Sequence, residues 1–193
     1  MARAVSLLLL LSIFYIAGTS SAYSRPSSSY IQKSCKATTF PAVCLQTLSA
    51  YSSKIQQSPQ NLALTALSVS LSRAQYAKGF VSKMTKFKGL KRREYQAIKD
   101  CVEEMDDTVD RLSKAAQELQ RLSGFRGDEF LFHMSNVQTY VSAALTDENT
   151  CFDGFAGRAL NGKLKSSIRA QVVKVSQVTS NALALVNQLA ATH

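Results

Sequence analysis

The sequence predicts an all-α protein: an up-down-up-down four-helix bundle with a small helical extension on its N-terminal side and two disulfides. Three observations carry this. Apolar residues recur at spacings of three and four through four long stretches, the period of a helix face. All three prolines, Pro26, Pro41 and Pro59, lie before residue 60, so no later proline interrupts a long helix. The alternation that marks half-buried strands is essentially absent.

The first 22 residues read as a signal peptide. Arg3 supplies a basic start, Val5 to Ile16 an apolar run, and Ser20-Ser21-Ala22 a small-residue cleavage site. That run is about a dozen residues, short of the ~20 that span a bilayer. The mature chain is expected to begin near Tyr23, outside the cell and off the membrane. Residues 23–193 then form a single domain, with the bundle starting at about residue 58.

Residues 23 to 30 are polar and read as a loose lead-in. Ile31 to Ala50 reads as short helical pieces broken at Pro41. The first long helix starts at Ser58-Pro59, with Ser58 as N-cap and Pro59 in the first turn. Leu64, Leu67, Leu71, Ala74 and Ala77 follow at helical spacing, to about Lys83. Lys86 to Arg93 is a basic connector. The second helix is the clearest, with Ile98, Val102, Met105, Val109, Leu112, Ala116 and Leu119 alternating spacings of four and three. Ser123-Gly124 ends it, and Gly127 to Phe132 reads as a further connector. Met134, Val137, Val141, Ala144 and Leu145 mark the third helix, which reaches Cys151 and stops near Gly154 to Gly157. The fourth runs from about Lys163 to Ala191 along Ile168, Val172, Val175, Ala182, Val186 and Leu189. Short connections make consecutive helices antiparallel.

Four cysteines in a secreted chain imply two disulfides, with three connectivities open. The economical pairing is Cys35–Cys44 and Cys101–Cys151, contributing roughly 3 and 4 kcal/mol on the chain-entropy model. Cys-x-x-Cys spacing is missing and the two histidines, His133 and His193, add little, so no metal and no cofactor is expected. Neither a Gly-x-Ser-x-Gly nucleophile, a phosphate-binding glycine loop nor a His-Glu-x-x-His helix is present. The sequence points to a binding protein, not an enzyme.

Charge supplies a candidate surface. Residues 23 to 93 carry twelve Lys and Arg and no acid, whereas seven of the thirteen acids fall between Glu94 and Asp110. Asp100, Glu103, Asp107 and Asp110 are spaced by three, four and three, within roughly 80° of one helix face. A solvated face is the plain reading of such a row. Yet like charges at these spacings repel, which suggests a cationic partner surface. If the protein's own Lys and Arg line the row, it is only an internal ion-pair network.

Four blocks in order are specific in combination: Thr39-Phe40-Pro41-Ala42-Val43-Cys44, Asp100-Cys101-Val102-Glu103, Ser142-Ala143-Ala144-Leu145-Thr146 and Thr150-Cys151-Phe152-Asp153-Gly154-Phe155. Over about residues 30 to 190 the chain resembles the plant invertase/pectin methylesterase inhibitor family. The resemblance implies a four-helix bundle with an N-terminal helical hairpin, and first-to-second and third-to-fourth cysteine pairing. It also implies a secreted inhibitor of the plant cell wall. For inhibition of pectin methylesterase, through a one-to-one complex covering the pectin cleft, the positions carried over are Glu103, Asp107, Asp110, Thr150 and Asp153. Invertase is the alternative target. Invertase inhibitors resemble one another in a Pro-Lys-Phe segment on the connector before the helix carrying the fourth cysteine; here that connector reads Gly127-Asp128-Glu129-Phe130. Tyr140 stands where relatives often carry Trp. The basic run Lys83 to Arg93 suits a weak contact with acidic pectin, or in a third reading a wall-binding protein with no enzyme target, while the secretory route argues against nucleic acid.

Overall fold

The computed structural model describes residues 26–156 and 162–192, so the expected signal peptide lies outside the described residues. Short helices α1 (Pro26–Cys35), α2 (Pro41–Leu48) and α3 (Ser52–Ile55) precede four long ones, α4 (Pro59–Met84), α5 (Arg92–Arg121), α6 (Gly127–Asp153) and α7 (Lys163–Ala190). No helix among the described residues is long and apolar enough to cross a membrane. The long helices close a ring: α4 packs on α5, α5 on α6, α6 on α7, and α7 back on α4.

Local signals set the helix ends. Ser58 is extended and its hydroxyl accepts the Asn61 N–H at 3.2 Å, with Pro59 in the first turn where its missing N–H costs nothing. At the start of α5 the Glu94 carboxylate accepts the Lys91 backbone N–H at 2.8 Å. Between α4 and α5 the chain reverses through Gly89 at φ +83°, a conformation that costs glycine least.

The core runs the length of the ring. Leu67, Ile98, Met105, Leu112, Leu119, Val137, Val141, Ile168, Val172 and Val186 are all fully buried, each worth roughly 1.5–3 kcal/mol relative to exposure. All six residues assigned to the fourth seam are buried. On α4 the core face is rotated from the expected one. Leu64 and Leu71 are half-buried, and Ala63, Ala66, Ser70, Ala74, Ala77 and Val81 line the interior with Leu67. Small side chains let α4 approach its neighbours closely, pushing the bulkier leucines to the margins. On α5, Cys101, Thr108 and Ala115 lie inside with Ile98, Met105, Leu112 and Leu119, leaving Val102 and Val109 at the edge.

Two boundaries differ from the sequence expectation. The polar lead-in is helical from Pro26, so α1 is a full arm of a hairpin with α2. Residues Gly127 to Phe132 are not a connector but the first turns of α6, with Phe130 buried. Gly127 sits at φ +55° and starts the helix, and Asp128 and Glu129 follow where carboxylates favour a helix N-terminus.

The hairpin is stapled by Cys35–Cys44, with Cα atoms 5.6 Å apart. It is fastened to α7 by buried Asn181, whose Oδ1 accepts the Phe40 N–H and whose Nδ2 donates to the Phe40 carbonyl, both at 2.9 Å. The Gln188 amide adds a bond to the Ser34 carbonyl at 3.3 Å.

Candidate functional site: the outer face of α5 and α6

The second bridge, Cys101–Cys151, joins α5 to α6 with Cα atoms 4.3 Å apart. It joins α5 about a third of the way along that helix to the last turn of α6, between buried cysteines. Because Ile98, Met105 and Leu112 point α5 inward, the row Asp100, Glu103, Asp107 and Asp110 faces solvent along its whole length.

The protein's own cations only partly satisfy that row. Lys99 lies 3.7 Å from Glu103, Lys114 lies 2.6 Å from Asp110, and the Gln96 amide donates to Asp100 at 2.7 Å. All three partners are on α5 itself. Such exposed pairs are worth only ~0.3–0.5 kcal/mol, so a partner can replace them at little cost. Asp107, in the middle, has no ion pair or hydrogen bond among the described residues. The acids toward each neighbouring helix are used internally: Asp106 pairs with Lys78 of α4, and Asp147 of α6 accepts the Arg111 Nε–H at 2.6 Å.

Electrostatics tighten toward the α5–α6 groove. Partial burial, together with Asp147 and Asp107, raises the Glu104 carboxyl, with Arg111 opposing. Burial also raises Asp147 despite its Arg111 partner. Beneath them, Glu148 is completely buried. Its Oε1 accepts the Thr179 hydroxyl at 2.8 Å, and Oε2 has no hydrogen-bond partner among the described residues. Burial pushes this carboxyl up to about 8, the Thr179 and Ser176 hydroxyls opposing in part and Asp147 adding to the rise. At mildly acidic pH it is a neutral group in the bundle core.

The five residues carried over from the family do not share one spot. Glu103, Asp107 and Asp110 line the outside of α5, and exposed Thr150 lies on α6 beside the bridge, its hydroxyl donating to the Thr146 carbonyl at 2.9 Å. Asp153 is exposed at the end of α6 and lines the α6–α7 groove with Lys165 and Arg169. Since α5 and α6 run antiparallel, the residues after each bridged cysteine rise in opposite directions. At 1.5 Å per residue this separates Glu103 from Asp153 by about 6 Å along the axis.

Sequence reasoning missed Glu148, although Val141, Ala144, Glu148 and Cys151 share one seam at spacings of three, four and three. An acid in an apolar seam was the available signal. It also missed how His133 is held. His133 Nδ1 lies 2.6 Å from Glu118 Oε1, its ring stacks 4.1 Å from that of Phe125, and its hydrogen bond holds Glu118 below the usual carboxylate range. Tyr140 packs half-buried against the core.

Comparison with known proteins places this architecture. A family model described as plant invertase/pectin methylesterase inhibitor matches residues 29–185. A Daucus carota protein named 21 kDa protein is 58% identical over 168 residues, covering 87% of each chain. Pectinesterase inhibitor 11 of Arabidopsis thaliana is 51% identical over 168 residues, 86% of this chain and 83% of its own. The crystal structure of a mutant form of a pectin methylesterase inhibitor from Arabidopsis shares the fold, with a TM-score of 0.64 at 24% identity over 79% of this chain and 92% of that one. The chain belongs to the plant invertase/pectin methylesterase inhibitor family.

Proposed function

We propose that this protein is a secreted inhibitor of pectin methylesterase, acting in the plant cell wall through a reversible, non-covalent one-to-one complex. The α5–α6 face covers the enzyme's pectin-binding cleft and denies the polymer access. Glu103, Asp107 and Asp110 supply carboxylates to cationic or hydrogen-bonding groups of the enzyme. Thr150 offers its free lone pairs beside them, and Asp153 makes a peripheral contact at the α6–α7 edge. The Cys101–Cys151 bridge fixes the two helices in register so that the face is pre-organised. A weak contact between the basic α4–α5 connector and acidic pectin accompanies the complex.

The observation that carries this reading is Asp107: an exposed carboxylate, central in the row, which no cation among the described residues neutralises. The relatives named pectinesterase inhibitors favour the esterase over invertase as target. Titration of the chain from Tyr23 onward against purified pectin methylesterases tests it. Activity falling to a one-to-one equivalence point is the expected outcome. Loss of sucrose hydrolysis by invertase, with every esterase unaffected, would establish the other target.

A further inference from the structure

The up-down-up-down connectivity brings the α4–α5 turn, the end of α6 and the start of α7 to the same end of the bundle. Two basic runs more than seventy residues apart in sequence meet there. Lys86, Lys88 and Lys91 come from the first turn, and Lys163, Lys165 and Arg169 from the start of α7. Lys88, Lys163 and Lys165 line a single open cavity of about 500 Å³ whose apolar wall includes Phe80, Phe155 and Leu164. Phe87, between two of the lysines, lines the same cavity and is 56% exposed.

None of the six cations takes part in an ion pair among the described residues, whereas Lys78, Lys99, Arg111 and Lys114 farther along the bundle all do. The acids at this end offset the cluster only in part. Glu94 lines the same cavity and accepts the Lys91 N–H, and Asp153 shares the adjoining groove with Lys165 and Arg169, two carboxylates against six cations with no ion pair between them among the described residues. The result is a concentrated positive potential around an aromatic-lined hollow, which attracts an extended polyanion with a partly apolar backbone.

We infer that this end of the bundle is a binding site for a polyuronate, the de-esterified form of pectin. The choice of polyanion rests on the function proposed above. Each unit carries a carboxylate for a lysine, and the apolar face of its sugar ring can lie on Phe87. A methyl-esterified unit has the same ring without the charge, so the site distinguishes the product of the esterase from its substrate. The acidic row begins at Asp100, about 12 Å along α5 from Arg92, so the polymer lies beside that row and not on it, and of the enzyme-facing residues only Asp153, which shares a groove with Lys165 and Arg169, borders the polymer site. Esterase action therefore creates the polymer that retains its inhibitor. The inhibitor accumulates where de-esterification has already occurred, and tethering raises its local concentration.

The test uses the disulfide-intact chain alone on beads carrying polygalacturonate or highly methyl-esterified pectin. The wild type is retained on polygalacturonate and released by salt, because exposed charge contacts are screened, and it passes through the esterified matrix. K86Q/K88Q/K91Q/K163Q binds polygalacturonate at least about tenfold more weakly, the effect of losing four exposed ion pairs together. K33Q/K36Q/K54Q/R121Q removes the same charge from the opposite end and stays within about twofold of wild type. Equal weakening of both variants, or equal retention of the wild type on the two matrices, overturns the site. Solution inhibition of the esterase is measured separately on the same proteins. Its absence alongside intact polygalacturonate retention removes the inhibitor reading and leaves the polyanion site standing.

Discussion

Replacing Glu148 by Gln should flatten the pH dependence of stability. The carboxyl is fully buried between α6 and α7, and burial raises its pKa from 4.5 to about 8. The sign follows from proton uptake. The folded state holds this proton more tightly than the unfolded chain, so the group's favourable contribution is complete below about pH 4.5 and is lost progressively up to about pH 8. At about 1.36 kcal/mol for each pH unit between those limits, the loss between pH 5 and pH 7.5 is about 3 kcal/mol. Gln keeps the shape and an oxygen for the Thr179 hydroxyl but does not titrate. Glu104 and Asp147, which are also raised, and Glu118, which is lowered, remain in both proteins and cancel in the difference. Urea unfolding with the disulfides intact, at half-unit steps from pH 5 to 7.5, reads the effect. E148Q should gain about 3 kcal/mol on the wild type across that range, roughly 6–12 °C in Tm. Parallel stability curves would refute the buried neutral carboxyl.

Other outcomes follow from the same contacts. Cys101→Ser with Cys151→Ser opens a loop of sequence separation 50 and should cost about 4 kcal/mol, while loosening the α5–α6 face enough to weaken inhibition even where the chain stays folded; thermal unfolding and esterase titration read the two effects. Asn181→Ala removes both bonds to Phe40. It should cost about 2–3 kcal/mol, with faster amide exchange in α1 and α2 and little change in α5. Among single substitutions on the acidic row, Asp107→Ala should weaken esterase inhibition by about tenfold or more, and Asp110→Ala by less, because Asp110 must give up Lys114 to bind. Equal effects would mean that the internal pairs do not matter.

Much of the fold was legible because four long amphipathic helices announce themselves by period. Ser58-Pro59 read directly as a helix start, and the α7 seam from Ile168 to Leu189 needed no revision. The α4 face was misjudged because Leu64 and Leu71 stand out in a sequence while Ala63, Ala66 and Ser70 do not, although close packing favours the small residues. Gly127 marked a helix start but read as part of a connector, since glycine more often interrupts helices than begins them. For α1, a serine-rich stretch with no periodic apolar run gave no helical signal until tertiary packing supplied one. The exposed direction of Glu103, Asp107 and Asp110 was legible from spacing. Their partial pairing with Lys99 and Lys114 was not, since an i,i+4 contact depends on which rotamer each chain adopts. The meeting of Lys88 with Lys163 needed the topology as well as the charges.

The central claim is that the α5–α6 face seats on pectin methylesterase and that Asp107 is engaged there. The most direct measurement is calorimetric titration of the esterase with the disulfide-intact chain and with Glu103→Ala/Asp107→Ala, alongside residual esterase activity. The wild type should bind one-to-one and abolish activity, and the double variant should bind at least about tenfold more weakly with its fold unchanged. Equal, full-strength inhibition by both proteins would contradict the assignment of this face, and no binding by the wild type to any esterase would contradict the function itself.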